Sequence, residues 1–335
     1  PQVFGAGGGN EVRSSMFLAQ LRNRFGAAGD DIWRDFRSAL DPETPTTTSK
    51  RFPYATERGG HTPGSLVVDP GSMSASAAHA AQVVQASRKR ASNAVLIGRN
   101  RSATGHPLAV MGPQLGYYYP ELFLEVDAHG GGIDVRGGVL PGIPYVLIGR
   151  GRDYAWSATS AGSDNTDQFL EELCNQDGAP ATRSSTHYMY KGVCRPMKNF
   201  FAGTLKATTS EPEQSVSFKE TVHGPVSGTV TVQGKPYAIA NLRSSRGRET
   251  TSGFIGSALN SGPRSPKEFL AGTRGFGMTF NLFYVDYKNI AFISTGRLPI
   301  RAPGTNPSLP TLGTGQYDWR GFLSQRQHPF AINPK

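Results

Sequence analysis

At Ser92 the character of the chain changes. Upstream lie helix-like stretches and then a long run rich in Thr, Pro, Gly and Ala; downstream come short alternating runs of the kind that form strands. The turning point, Ser92-Asn93-Ala94-Val95-Leu96-Ile97-Gly98, reads as a buried strand with a serine at its first position. It follows a flexible, basic segment ending Arg88-Lys89-Arg90-Ala91. A bare Ser-Asn-Ala is by itself an ordinary strand start, so the weight falls on what surrounds it.

The 335 residues suffice for one large domain or two average ones. With 41 glycines and 24 prolines, the body is expected to be strand-rich with many turns. Hydrophobic residues make up 37% and no apolar run approaches the roughly 18 residues of a membrane span, so the expectation is soluble globular material without one. Pro1-Gln2-Val3-Phe4-Gly5 has no basic-then-apolar leader pattern, which fits a removed signal or a fragment. The net charge of +10 is scattered, with Arg88-Lys89-Arg90 as the tight cluster; no zinc spacing or RNA-binding aromatic motif accompanies it, so no nucleic-acid partner is expected. Cys174 and Cys194 either close one disulfide across a hairpin-like segment or stand as unpaired structural thiols.

In chain order, Gly5-Ala6-Gly7-Gly8-Gly9-Asn10 fails the dinucleotide fingerprint, because Asn10 stands where the last glycine belongs; it reads as a loop into a helix. Phe17, Leu21 and Phe25, with Leu18, predict that helix, and Gly26 its stop. Asp30 or Asp31 begins a second helix carrying Ile32, Trp33 and Phe36, ending before Asp41-Pro42. Residues 1–44 thus form a helical region, and residues 45–91 a linker whose Ala- and Gln-rich end from Ser74 has some helical character. From 92 to 335 strands dominate. Leu124 and Val126 alternate with charged residues, and Val216 and Phe218 with polar ones; Gly234-Lys235-Pro236 marks a hairpin, and so does Asp286-Tyr287-Lys288-Asn289. Ser265-Pro266-Lys267-Glu268 is a helix start.

Beyond Ser92-Asn93 a series of short motifs follows in order. They are Gly112-Pro113-Gln114-Leu115-Gly116, His129-Gly130, Leu140-Pro141-Gly142-Ile143-Pro144, Gly149-Arg150-Gly151, Ala155-Trp156-Ser157-Ala158-Thr159, Thr221-Val222-His223-Gly224 and Gly313-Thr314-Gly315-Gln316-Tyr317-Asp318-Trp319-Arg320-Gly321. Together they resemble the penicillin acylase (penicillin amidase) family of N-terminal nucleophile hydrolases. The resemblance runs from Ser92 nearly to the end, and more loosely over the first 91 residues, which are similar to the family's small subunit and connecting peptide.

The resemblance implies an α+β fold in which two antiparallel sheets are sandwiched between helical layers (αββα), incomplete in this chain, with Ser92 opening a central strand. It implies a cut between Ala91 and Ser92 that frees Ser92 as the nucleophile. The chemistry is consistent. A serine hydroxyl needs a base, and a terminal α-amine with a pKa of about 7.7 is neutral far more often near pH 7 than a lysine amine at about 10.4. Gln114 falls where the family positions the acyl group; its alternative is an exposed turn residue. Ser160 falls where a backbone N–H stabilises the oxyanion. Pro113, Leu115, Leu147, Ile148, Ala158 and Phe280 fall on the acyl pocket, each with plain core packing as the alternative. Leu115 and Ile148 stand where phenylacetyl-specific members carry aromatics, which leaves an aliphatic acyl group open. Asp164, Thr166, Asp167 and Pro307 fall on the family's calcium segments, mixing carboxylates and carbonyls as a hard cation requires; the alternative is an Asx-rich turn without metal. His223 reads as structural.

The implied function is hydrolysis of a linear amide through an acyl-serine, releasing an acid and an amine such as a β-lactam nucleus, in a secreted or periplasmic protein. A same-family alternative is an acylase of acyl-homoserine lactones; an alternative of another class is a non-catalytic, calcium-stabilised β module. The family's second oxyanion donor, an asparagine, falls just past the point matching Pro334-Lys335. The chain is therefore expected to be completed by the remaining portions of its own small and large subunits.

Overall fold

A computed structural model describes residues 7–37, 62–86, 91–114, 119 and 121–334. The expectations for the helix end before Asp41, the first part of the linker, the basic cluster 88–90 and the pocket residue Leu115 lie outside the described residues.

The chain opens with helices α1 (Glu11–Phe25) and α2 (Ala28–Arg37), and α3 (Ala75–Ala86) follows. On α1 the buried stripe is Glu11, Val12, Ser15, Leu18 and Leu21, while Phe17 and Phe25 are exposed. Steps of four drift around a helix of 3.6 residues per turn, so a mixed three-and-four spacing is what stays on one face. Phe17 instead packs edge-on against Phe36 of α2, ring centroids 5.7 Å apart.

From Ala91 onward strands take over. A hairpin of β1 (Ala91–Ile97) and β2 (Leu108–Gln114) pairs in continuous register from Ala91↔Gln114 to Ile97↔Leu108. The expectation of a central, buried strand is corrected here: among the described residues β1 pairs with β2 alone. Only one face of a two-stranded ladder is covered, so Val95, Ile97, Leu108 and Val110 are exposed, while Ser92, Ala94, Leu96 and Met111 on the opposite face are half-buried.

Two larger sheets form the body. The seven-stranded sheet contains β3 (Leu124–Gly130), β4 (Ile133–Val139), β5 (Ile148–Arg150), β6 (Tyr154–Ser160), β14 (Phe280–Asp286), β15 (Ile290–Ser294) and β17 (Phe330–Ile332), in the order β17-β15-β14-β6-β5-β4-β3. Helices α4 (Thr251–Asn260) and α5 (Pro266–Gly272) bury Ile255, Leu259 and Phe269 in the core they share with its Trp156, Phe280, Leu282 and Tyr284. As expected, α5 starts at Ser265, whose Oγ accepts from the Glu268 N–H (3.3 Å), with Pro266 in the first turn. β3 departs from expectation: Leu124 is exposed, because β3 is the edge of this sheet.

The eight-stranded sheet contains β7 (Thr166–Cys174), β8 (His187–Tyr190), β9 (Val193–Pro196), β10 (Lys198–Leu205), β11 (Gln214–Thr221), β12 (Gly224–Val232) and β13 (Lys235–Arg243), in the order β10-β11-β12-β13-β7-β8-β9. Short β16 (Thr311–Leu312) runs parallel to β7. The β12–β13 turn is one residue earlier than its sequence signal: Gln233 (φ 49°) and Gly234 (φ 76°) make it, and Pro236 already pairs with Thr231. A type I′ hairpin turn needs positive φ at both central positions, which proline cannot adopt. Cys174 and Cys194 form a disulfide, which settles the two alternatives and ties β7 to β9.

Candidate functional site

The position of Ser92 follows from the hairpin. Its register partner is Pro113, and Ala91 faces Gln114, so the serine and both motif residues sit at the open end of the ladder. Directly opposed residues share a face, placing Ser92 and Pro113 side by side. Ser92 is half-buried and Gln114 exposed. Both hairpin strands lie against β6. β6 runs out to Ser160, which is exposed and pairs with Phe280 of β14.

The expected pocket residues are brought together only in part. Ala158 and Phe280 are buried members of the core under α4 and α5, and Ile148 packs against it. Phe276 stacks on Phe280 at 5.8 Å. Leu147 is anchored through its backbone, with its carbonyl accepting from Trp156 Nε1 (2.9 Å) and its N–H donating to Gly138 (3.0 Å). Pro113 lies on β2, the hairpin strand that packs against β6. The role that the residues visibly fill is packing of the sheet that carries Ser160.

A second cluster lies where β6 hands over to β7. Glu11, Asp164 and Asp167 place carboxylate oxygens within 4.8 Å of one another. Arg301 reaches into them: its Nε and Nη2 donate to Asp167 (2.8 and 2.6 Å), and Nη2 also meets Asp164 Oδ2 (2.7 Å). Trp319 Nε1 donates to Asp167 Oδ2 (2.7 Å). Glu11 accepts from the N–H groups of Gly9 (2.9 Å) and Gln168 (3.1 Å), and the Thr166 carbonyl from Gly9 (2.8 Å). Close approach of the glycine loop is needed, since a Cβ at Gly8 would collide with Asp164 and the Thr166 carbonyl.

Three carboxylates against one guanidinium leave an excess of buried negative charge. Burial, then Asp164 and Asp167, push the Glu11 carboxyl well above the usual carboxylate range. Burial works against the Arg301 charge, but Asp167 and Asp164 outweigh it and raise its pKa. Oxygen donors with surplus negative charge fit a hard divalent cation. The structure thus brings Asp164, Thr166 and Asp167 together with Glu11, while no hydrogen bond joins Pro307 to the network among the described residues. Glu11 and Arg301 escaped sequence reasoning. A first-turn carboxylate and an isolated arginine carry no local signal, and only the fold sets them beside the aspartates.

A third polar group is centred on His223, which is buried between two carboxylates. Its Nδ1 meets Glu171 Oε1 (2.8 Å) and its Nε2 meets Asp318 Oδ1 (2.9 Å). Thr221 Oγ1 also donates to Glu171 (2.6 Å), and Tyr190 to Asp318 (2.7 Å). The ring stacks flat on Phe169 at 4.0 Å. Burial disfavours the imidazolium, yet the hydrogen bonds and charges of Asp318 and Glu171 prevail and raise its pKa to about 9. The group joins β7, the β11–β12 turn and the segment after β16, which supports the structural reading of His223.

Comparison with known proteins bears on the whole chain. The family model described as "Penicillin amidase" matches residues 5–335. Penicillin G acylase of Escherichia coli is 29% identical over 73% of this chain and 27% of its own length. An acyl-homoserine lactone acylase of Pseudomonas syringae pv. tomato is 28% identical over 71% of this chain and 28% of its own. Among solved structures, a thermostable penicillin G acylase from Alcaligenes faecalis superposes with a TM-score of 0.63 at 27% identity, covering 72% of this chain and 42% of that one. The chain therefore spans little more than a quarter of the length of these two curated relatives.

Proposed function

Since the chain belongs to the penicillin amidase family, we propose that it carries the nucleophile-bearing part of an acylase that hydrolyses linear amides at Ser92. Its fold is the α+β, N-terminal nucleophile hydrolase type of the matched structure, with antiparallel sheets and few helices. The observation that carries the proposal is the setting of Ser92: second in the strand that begins at Ala91, paired with Pro113, in a hairpin packed against the strand that ends in Ser160.

Cleavage before Ser92 leaves its α-amine beside its hydroxyl. The amine, through one water, takes the hydroxyl proton as Oγ attacks the amide carbon, and the Ser160 N–H holds the developing oxyanion. The same proton goes to the leaving amine as the C–N bond breaks. Water then attacks the acyl-serine by the reverse proton path and releases the acid. Gln114 positions the acyl group, and Pro113, Leu115, Leu147, Ile148, Ala158 and Phe280 shape its pocket. The test is intact mass and activity of the full-length protein. Wild type is expected as two chains with Ser92 as a terminus and with an acyl adduct on it during turnover; Ser92→Ala is expected as one inactive chain. A mature terminus elsewhere with activity retained rejects the proposal.

Leu115 and Ile148 favour aliphatic acyl groups, and an acyl-homoserine lactone acylase is among the relatives. A chain-length series of acyl substrates separates this reading from a phenylacetyl preference. A calcium ion held by Asp164, Asp167, the Thr166 carbonyl and Glu11, with Pro307 from beyond the network, would neutralise buried charge and stiffen the β6–β7 junction. Calcium is expected to raise the Tm of wild type and not of Asp164→Ala; an equal rise in both rejects the site. The Cys174–Cys194 disulfide supports a secreted or periplasmic location.

A further inference from the structure

Cleavage before Ser92 would make two pieces, and residues 62–77 belong covalently to the first but structurally to the second. Gly64 donates to the Gly304 carbonyl (2.8 Å) and accepts from Leu312 (2.9 Å), and Leu66 donates to Pro310 (2.9 Å). Further on, Asp69 and Ser74 donate their N–H groups to Thr231 and Thr229 of β12 (both 2.9 Å). The N–H groups of Thr229 and Thr231 return to Ser74 Oγ (3.0 Å) and Ser72 Oγ (3.1 Å). This part of β12 is an open edge, because β11 pairs with β12 only at Pro225 and Gly224. Residues 69–74 therefore cover backbone groups that no other strand satisfies among the described residues.

Asp69 is the strongest anchor. Its carboxylate accepts from Thr231 Oγ1 (2.6 Å) and from the turn N–H groups of Gln233 (2.8 Å) and Gly234 (2.9 Å). Val68 and Ala77 are buried in one apolar cluster with Val12 of α1 and with Leu170, Val230 and Ile239 of the sheet. At Gly228 a Cβ would meet Ala77 Cβ at 2.7 Å, so the first turn of α3 lies directly on the β12 backbone.

Beyond Ala77 the packing changes. Ala80 and Ala81 do not fill the space beneath α3: with Ala77, Met73, Val12 and Ile239 they line a cavity of about 530 Å³, and of these three alanines Ala77 alone is also buried against the sheet while Ala80 and Ala81 are half-buried. Atoms facing a void lose their dispersion partners, so this part of the helix is held weakly.

We propose that residues 62–77 are a clasp that keeps the two cleavage products together, and that the connecting segment becomes detachable only after Ala77. The proposal rests on the reading that the chain is cut before Ser92, and its test is made independent of that reading. In the full-length Ser92→Ala protein, residues 87–90 are replaced by a site for a sequence-specific protease, so that the added enzyme alone makes the cut. The pieces are then followed by native mass spectrometry, and the smaller one is trimmed with a carboxypeptidase and weighed. The pieces are expected to stay associated, with trimming halted between Ala77 and the new terminus.

Asp69→Ala acts from one side of the clasp and Gly228→Val from the other. Each is expected to speed dissociation at least about tenfold, the scale of one lost charged hydrogen bond. Each is compared with its own uncut chain at the same temperature, so that a folding defect registers before the cut. Trimming that proceeds into 62–74 while the pieces stay together, or dissociation at the wild-type rate in both variants, overturns the proposal. A wild-type protein that stays uncut without added protease would reject self-cleavage and leave the clasp standing.

Discussion

Beneath α4 and α5 the seven-stranded sheet buries Trp156, Phe269, Phe280 and Tyr284, whereas around β7 the eight-stranded sheet buries Glu171, His223 and Asp167. In the first region Phe269 stacks on Tyr284 at 5.2 Å and Tyr154 on Trp156 at 5.3 Å. Stability there scales with apolar area and shape and is nearly indifferent to pH. In the second, carboxylates meet Arg301 and His223 in a low-dielectric interior, where breaking a pair leaves a charge stranded. The two sheets should therefore fail under different stresses, although both are antiparallel and strand-rich.

The largest expected effect is Phe269→Ala, which should cost about 3–5 kcal/mol by removing transfer energy and leaving a cavity. Urea unfolding at several pH values should find that loss unchanged between pH 5 and 8; a strongly pH-dependent loss would erase the contrast between the sheets. Arg301→Met should cost a similar amount, roughly 3–5 kcal/mol near neutrality, because Asp167, Asp164 and Glu11 lose their counter-charge. Here the loss should shrink on acidification, as the stranded carboxylates take up protons. Hydrogen exchange should localise the opening to β7 and α1, and exchange that rises equally in β14 would merge the two regions.

A smaller effect comes from His223. Its folded pKa of about 9 lies above the ordinary value of 6.5, so its contribution is complete below about 6.5 and is lost as pH rises through about 9. Asp318 runs the other way: its carboxyl opposes burial with hydrogen bonds from His223 and Tyr190, so its pKa is lowered and its contribution disappears on acidification. The His223 shift alone predicts an alkaline loss on the order of 3 kcal/mol that His223→Gln removes. Measuring Tm across pH 6 to 10 checks this, and a wild-type curve parallel to that of the variant would count against it.

Local features were legible in the sequence. The Ser265-Pro266 start of α5 needed only a capping hydroxyl and a fixed φ, and the Asp286–Asn289 turn only a side chain that accepts from the N–H groups of Lys288 and Asn289 (both 2.7 Å). A strand at this point was legible for the same reason, though it begins at Ala91, one residue before Ser92; its pairing with the Pro113-Gln114 motif came from the fold. The exposure of Val95 and Val110 was not, because an apolar alternation does not say which face will be covered.

What the sequence by itself determined is therefore the order of elements, their caps and turns, and the kinship carried by motifs in series. The tertiary structure alone decided that Glu11 and Arg301 would share a site with Asp164 and Asp167, that Glu171 and Asp318 would flank His223, and that residues 62–77 would bind across β12. The physical reason is that a cap or turn is enforced by neighbours within a few residues. A buried charge cluster or a covered strand edge is enforced by sheet register and chain crossing, which bring together residues with no common local pattern.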